Sequence, residues 1–469
     1  MIKPLPLLIA ALLAGCSLAP QYKRPDAPIV DAWPTGTSST STESQLTGWR
    51  DFFPDPRLQT LIATALEHNR DLRVAALRID EARALYGIQS ADLLPNLNFS
   101  AAESRARTPG SVATTGRTSV STSYQVSLGL SAFELDFFGR VRSLNQAALA
   151  QYLATEEASR AAQISLIAEV AKAYLAEQAF AEQYELARKT VASRESAYTL
   201  AKQRFEVGAT SALDLRLNEA QVQSARASLA TLSRQRAQAI NALTLLVGKA
   251  VADLPAAQSL SGQSIVTEIP PGLPSDLLNR RPDIRAAEHR LQAANANIGA
   301  ARAAFFPRIT LTGSVGTASN ELSGLFEAGS RTWSFVPQLV LPIFDAGRNS
   351  ANLNLAEARN NIALAEYEKT IQTAFREVSD TLVARQALEE QIAAQQAVQD
   401  AQAERLKLAD LRYQNGVASS LEVLDAQREL FAAQQGLVQA RLLRLTNAID
   451  LYRALGGGME PDAGQLSAK

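Results

Sequence analysis

One cysteine stands among 469 residues, Cys16, which excludes a disulfide within the chain and a cysteine-built zinc site. Histidine is nearly as scarce. His68 and His289 both sit in helical patterns, away from any ligand cluster, so no metal or cofactor site is expected. An excess of either charge is also missing. The 46 basic and 47 acidic side chains leave a formal net charge of −1, which offers no footing for nucleic acid. Beyond the N-terminus no apolar run reaches the ~18 residues of a membrane-spanning helix. No paired carboxylates and no nucleophile with an adjacent base stand out, so an enzyme is not expected.

What the chain does have is one reversal made twice. Gly416 fits a helix C′ position, where only glycine reaches the left-handed conformation without a Cβ penalty. Ser419 and Glu422 then carry capping-box spacing for a new helix. Arg204, Phe205, Gly208, Ser211, Leu213 and Asp214 stand 208 positions before Arg412, Tyr413, Gly416, Ser419, Leu421 and Glu422. Two similar halves are predicted.

Met1 to Gly15 combines one positive charge, Lys3, with an apolar stretch from Leu5 to Leu13, the pattern of a secretory signal. Pro20, Pro25, Pro28 and Pro34 and a Ser/Thr-rich stretch to Thr47 predict an extended linker over residues 16–54. A helical pattern follows from Asp55 to Leu94, stopped by Pro95. Leu97, Phe99 and Ala101 then alternate with Asn98, Ser100 and Ala102 as a strand would. In the returning strand Tyr124, Val126, Leu128 and Leu130 alternate with polar or small residues. The alternation slips to Phe133, Leu135 and Phe137, which predicts a bulge near Ala132.

The second half repeats these landmarks. Pro307 matches Pro95 at an offset of 212, and Gly347 matches Gly139 at 208. Ile309 and Leu311 begin one strand, and Trp333, Phe335, Leu339, Leu341 and Ile343 form its return. Gly139 to Gly208 and Gly347 to Gly416 both span 69 positions, while Gly208 to Gly248 and Gly416 to Gly456 both span 40. The predicted order is a signal at 1–15, the linker, a first repeat at 55–248 with a hairpin at 95–138 and a reversal near 208–211, and a connector at 249–274. A second repeat at 275–456, with a hairpin at 307–346 and a reversal near 416–419, leads to a tail at 457–469.

A helix of roughly 68 residues is about 100 Å long, so it must pack along neighbouring helices rather than around a globular core. Strands of about 10 residues can cross a bilayer, where an open sheet edge costs several kcal/mol per unpaired group. Four strands are too few to close, since bacterial barrels begin at about eight. The chain is therefore expected to oligomerise. Phe133, Phe137 and Phe138, with Phe305, Phe306 and Phe344, cluster where strands meet helices, as an inner aromatic girdle would.

Several segments carry a resemblance. Leu13-Ala14-Gly15-Cys16 resembles a bacterial lipobox, which implies an N-palmitoyl and S-diacylglycerol lipid on Cys16. Ser17 in the next position implies export to the outer membrane. Residues Cys16 to Pro25, Leu277-Leu278-Asn279-Arg280-Arg281-Pro282-Asp283-Ile284-Arg285, Leu424-Asp425-Ala426-Gln427 and Leu455-Gly456-Gly457-Gly458 resemble the TolC-type outer-membrane efflux proteins, lipoprotein branch. The resemblance covers essentially the whole mature chain. It implies a mainly α fold with a transmembrane β part, assembled as a homotrimer with a twelve-stranded β-barrel and a long periplasmic α-helical barrel. It implies a passive exit duct for drugs or other small toxic molecules. Its partners would be outer-membrane lipid, a periplasmic adaptor and an inner-membrane pump of the resistance-nodulation-division (RND) class.

It also implies a gate. Leu421 and Asp425 match lumen-facing residues of an apolar and an acidic ring, and Arg412 and Tyr413 match tip residues that hold neighbouring helices. The reversals at Gly208, Ser211, Gly416 and Ser419 match the region of adaptor contact. Spacing i and i+4 places Leu421 and Asp425 on one helix face. Around a threefold axis that face makes rings able to dewet and to select cations. Repulsion among three carboxylates would be offset by Arg412 or by cations. Leu217 stands where Asp425 does, so the first half lacks the acid. The rival reading is a periplasmic coiled-coil adaptor or structural lipoprotein, which usually has one hairpin and no membrane-length alternating strands.

Overall fold

Alanine, leucine and glutamine dominate the long segments, and all three favour helix. In the computed structural model, which describes residues 18–29, 33, 48–114, 116–251, 254–266, 275 and 277–458, the first half folds as α1 (Trp49–Phe52), α2 (Pro56–His68), α3 (Arg70–Ala91), β1 (Leu97–Thr108), β2 (Ser119–Leu135), α4 (Arg140–Glu206) and α5 (Ala212–Val247). The second half repeats the order as α6 (Leu277–Arg280), α7 (Pro282–Ala303), β3 (Arg308–Ser319), β4 (Arg331–Val340), α8 (Arg348–Gln414) and α9 (Ser420–Ala454). Helices α4 and α8 are each 67 residues long. The chain divides into two compact units, and both draw on both halves.

One unit comprises Met1–Asp26, Arg78–Glu156 and Ala286–Glu368. Its sheet has the order β1-β2-β3-β4, antiparallel throughout. Leu97, Phe99, Leu128, Leu130, Val315, Trp333, Phe335 and Leu339 share one face by register. In the protomer Phe99, Trp333 and Phe335 are largely exposed. The other face carries Asn98, Ser100, Gln125, Ser127, Thr310, Ser314, Ser334 and Gln338, and its hydroxyls pair as Ser100–Ser127 (3.0 Å) and Ser314–Ser334 (2.8 Å). The register slips between Leu130 and Phe133, and Ala132 adopts φ 53°, so the bulge is where the sequence puts it.

The returning strand is shorter than expected. It stops at Val340, leaving Leu341 and Ile343 outside, because Pro342 has no N–H to donate to a ladder. Phe138 stacks on Phe306 at 4.8 Å, whereas Phe344 is 89% exposed and meets no partner ring among the described residues. The N-terminal strap lies along α7. Asn295 donates to the Pro20 carbonyl at 2.8 Å, and Arg24 forks onto Glu288, which also accepts from the Tyr22 hydroxyl. Burial pushes the Glu288 carboxyl up, but Arg24 outweighs it and holds the group below its usual range. Gly299 makes the fit possible, since a Cβ there would stand 2.6 Å from the Ala19 Cβ.

The other unit comprises Ala27–Leu77, Glu157–Arg285 and Lys369–Lys469. The helical stretch from Asp55 to Leu94 proves to be two helices. Asn69 takes an extended backbone (φ −63°, ψ 132°) and caps the second by accepting from the Leu72 N–H. Its amide also donates to the Leu246 carbonyl at 2.8 Å, tying the break to the end of α5. Buried Asp55 caps α2 and accepts from the Tyr174 hydroxyl (2.7 Å) and Gln263 (2.9 Å), which fixes residues around 260–263 of the connector. Arg281 is buried. It donates to both Asp283 oxygens, to Glu377 and to the carbonyl of Ala454, the last residue of α9.

Candidate functional site

The two reversals lie in this second unit and share one backbone solution. Gly208 and Gly416 both adopt φ 71°. At the second, the Gly416 N–H donates to Tyr413 and the Val417 N–H to Arg412, the paired bonds of a Schellman turn. At the first, Gly208 donates to Phe205 and Ala209 to Arg204 in the same pattern. Two orphan carbonyls at the end of each of α4 and α8 are thereby satisfied.

Capping separates the reversals. Ser211 accepts from the Asp214 N–H at 3.1 Å and returns its own hydroxyl to the Asp214 carboxylate at 2.8 Å. Ser419 has the N-cap backbone conformation but makes no side-chain cap, contrary to the capping box expected with Glu422. The physical reason lies in its neighbours. Glu422 turns toward Arg412 at 3.7 Å, and Ser420 gives its hydroxyl to Asp214 at 2.9 Å. Asp214 thus stitches the two reversals together. These hydrogen bonds, Ser211 first and then Ser420, hold its carboxyl below the ordinary range.

Of the tip residues, Tyr413 and Arg412 both bridge helices. The Arg204 guanidinium of α4 donates to the Tyr413 hydroxyl of α8 at 2.7 Å and lies 5.4 Å from the ring centroid. Arg412 reaches α9 through Glu422. Beneath them Ala409, Val423 and Ala426 are buried together, with Leu406 and Tyr413 packed on. Arg405, Leu408, Arg412 and Glu422 line an open groove between α8 and α9.

Leu421 and Asp425 share a face of α9. Leu421 is 58% exposed in the protomer, an uncovered apolar side chain one turn from the acid. The neighbour of Asp425 differs from expectation. Its carboxylate lies between Arg405 of α8 and Arg428 of α9, each at 2.6 Å, while Arg412 pairs elsewhere. Arg405 foremost, with Arg428, holds Asp425 below its usual range. Cys16 lies outside the described residues.

These features meet their counterparts in known proteins. The profile of the family described as outer membrane efflux protein matches twice, over residues 61–249 and 273–457. The outer membrane protein OprJ of Pseudomonas aeruginosa is 50% identical over 460 residues, covering 97% of this chain and 95% of that one. The probable efflux pump outer membrane protein TtgC of Pseudomonas putida is 48% identical over 464 residues, covering 98% and 96%. Among solved structures, the open state of the MtrE outer membrane channel of Neisseria gonorrhoeae superposes with a TM-score of 0.87 at 43% identity, covering 96% of this chain and all of that one. With the family profile spanning both halves and near-full-length relatives at about half identity, the chain belongs to the outer membrane efflux protein family and is an outer-membrane efflux channel.

Proposed function

We propose that three copies close the sheet into a twelve-stranded barrel and act as the passive exit duct of an RND-type pump, joined through a periplasmic adaptor. The observation that carries this is the sheet itself. Its strands of 12, 17, 12 and 10 residues are long enough to cross a bilayer, apolar on one face and hydroxyl-rich on the other. Within one protomer, β1 and β4 each keep an unpaired edge. In lipid such edges must pair, and β4 of one copy with β1 of the next completes the ring. Crosslinking in detergent should trap trimers, and a monomeric channel would overturn the closure.

The hydroxyl-rich face then lines the pore, and the hairpin loops near 107–118 and 318–329 face the cell exterior. Cysteines placed at Ser111 and Ser323 should react with an impermeant maleimide on intact cells. Labelling of a cysteine at Ser419 instead would mean the opposite orientation.

The second reversal supplies the gate in this reading, Leu421 as apolar seal and Asp425 as acidic ring, with Arg412 and Tyr413 bracing the tip. The adaptor docks at the reversals around Gly208, Ser211, Gly416 and Ser419. Supporting this are the exposure of Leu421 and its position one turn from Asp425. Cys16 anchors the mature chain by its lipid. Mass spectrometry should find the acylated cysteine at the N-terminus, and an unmodified one would remove the anchor. Cys16→Ala should weaken membrane retention without abolishing conductance, because the barrel inserts by itself.

A further inference from the structure

The outward face of the sheet changes chemistry sharply at its loop end. Along β1 it runs Leu97, Phe99, Ala101 and then Glu103, Arg105 and Arg107. On β4 the first residue, Arg331, shares this face with Trp333 and Phe335. The residues opposite these arginines, Thr122, Val120 and Thr317, carry no charge. All three guanidinium groups are exposed, and none forms an ion pair with a described residue. Glu103, the one acid among the strand residues on this face, takes the Tyr124 hydroxyl at 3.4 Å. Glu321 and Glu327 belong to the second loop and pair with none of the three.

An arginine that needed only water would serve equally on the inner face. There the strands carry a single one, Arg308, at the opposite end and paired with Glu134. The outward placement puts cations where an apolar wall ends, which is where lipid headgroups lie. Side chains two residues apart on one strand are about 7 Å from each other. Arg105 and Arg107 can therefore address neighbouring phosphates, each with the planar fork that matches a phosphate bidentately.

We propose that Arg105 and Arg107 of one copy, with Arg331 on the β4 edge of the neighbouring copy that pairs with this β1, form a binding site for the phosphate groups of an anionic lipid of the outer leaflet, whose chains lie on Phe99, Val315 and Trp333. The inference rests on the membrane-spanning reading of the sheet and adds the ligand to it. Attraction between exposed charges is screened within about 10 Å at 0.1 M salt, so retention should weaken as salt rises.

The test uses full-length trimer in phosphatidylcholine liposomes with and without bisphosphorylated lipid A, followed by native mass spectrometry and conductance. Wild type should retain lipid A in preference to its dephosphorylated form, and millimolar inorganic phosphate should not displace it. The variant Arg105→Gln/Arg107→Gln/Arg331→Gln should retain about tenfold less, while the corresponding triple lysine variant keeps most of the binding. Conductance should be equal in all three. Equal retention in the glutamine variant, or full displacement by inorganic phosphate, would overturn the lipid site while leaving the channel intact. A wild type whose sheet fails to insert into the bilayer would instead overturn the membrane-spanning reading, and this inference with it.

Discussion

Replacing Leu421 with serine and Asp425 with alanine should raise conductance in planar bilayers well above wild type and reduce cation preference. Leu421 presents an uncovered apolar side chain, and in the proposed gate three around an axis would exclude water from a narrow opening. Asp425 contributes its charge and also a clasp, since it joins Arg405 of α8 to Arg428 of α9. Removing both groups deletes the seal and the link while leaving the buried Ala409–Val423–Ala426 contact intact. On the proposed reading, closed and open states are then separated by less, and opening would no longer need differential binding by pump and adaptor. In cells the variant should admit large antibiotics such as vancomycin. Arg405 foremost holds the Asp425 carboxyl below its usual range in the protomer, so if Asp425 forms the proposed ring, conductance near pH 7 should not follow its protonation. Unchanged conductance and selectivity at normal trimer yield would place the gate elsewhere.

Arg281→Leu should cost about 3 kcal/mol and sharply reduce the yield of folded protein. Burial alone would lower the Arg281 pKa, and Asp283 and Glu377 reverse that, so the guanidinium remains charged in a buried site. Its loss leaves Glu377 only a long contact to Arg453, leaves the Ala454 carbonyl at the end of α9 without its donor, and unties α8 from the α6–α7 junction. Arg453→Gln is the control. Its ion pairs, to Asp450 and Glu377, are long at 3.7 and 3.9 Å, so the expected cost is below about 1 kcal/mol. Thermal unfolding of both variants in detergent compares them directly, and equal melting points would remove the special role of Arg281.

The duplicated plan is legible because its punctuation is chemical. Left-handed backbone at Gly208 and Gly416 requires glycine, and equal spacing between such residues survives whatever changes around them. The bulge at Ala132 shows as a slip in alternation because the extra residue turns the side chains after it to the opposite face. Side-chain partnerships are less accessible. Ser419 and Glu422 have the same spacing whether or not the hydroxyl turns toward the helix, and the choice is made by Arg412 and Asp214, which sequence spacing does not bring near. Arg405, Arg412 and Arg428 are three cations near Asp425 in sequence, and only the phase between α8 and α9 selects two of them. The break at Asn69 did leave a signal: an asparagine followed by Asp71 is a helix start, although unbroken apolar periodicity on both sides masks it.

The inner face of the sheet has one further consequence. From Asn98 and Gly129 up to Thr108 and Ser119 it offers hydroxyls, amides, alanine and glycine, with no fixed charge. Hydroxyls exchange hydrogen bonds with water at little net gain, so a passing molecule finds no partner better than the solvent it carries. A duct without its own energy source cannot expel what adheres to it, and every 1.4 kcal/mol of wall affinity lengthens dwell time about tenfold. A wall of serines and threonines keeps residence brief for cations, anions and neutral molecules alike, so throughput is set by arrival at the tip rather than by release from the barrel.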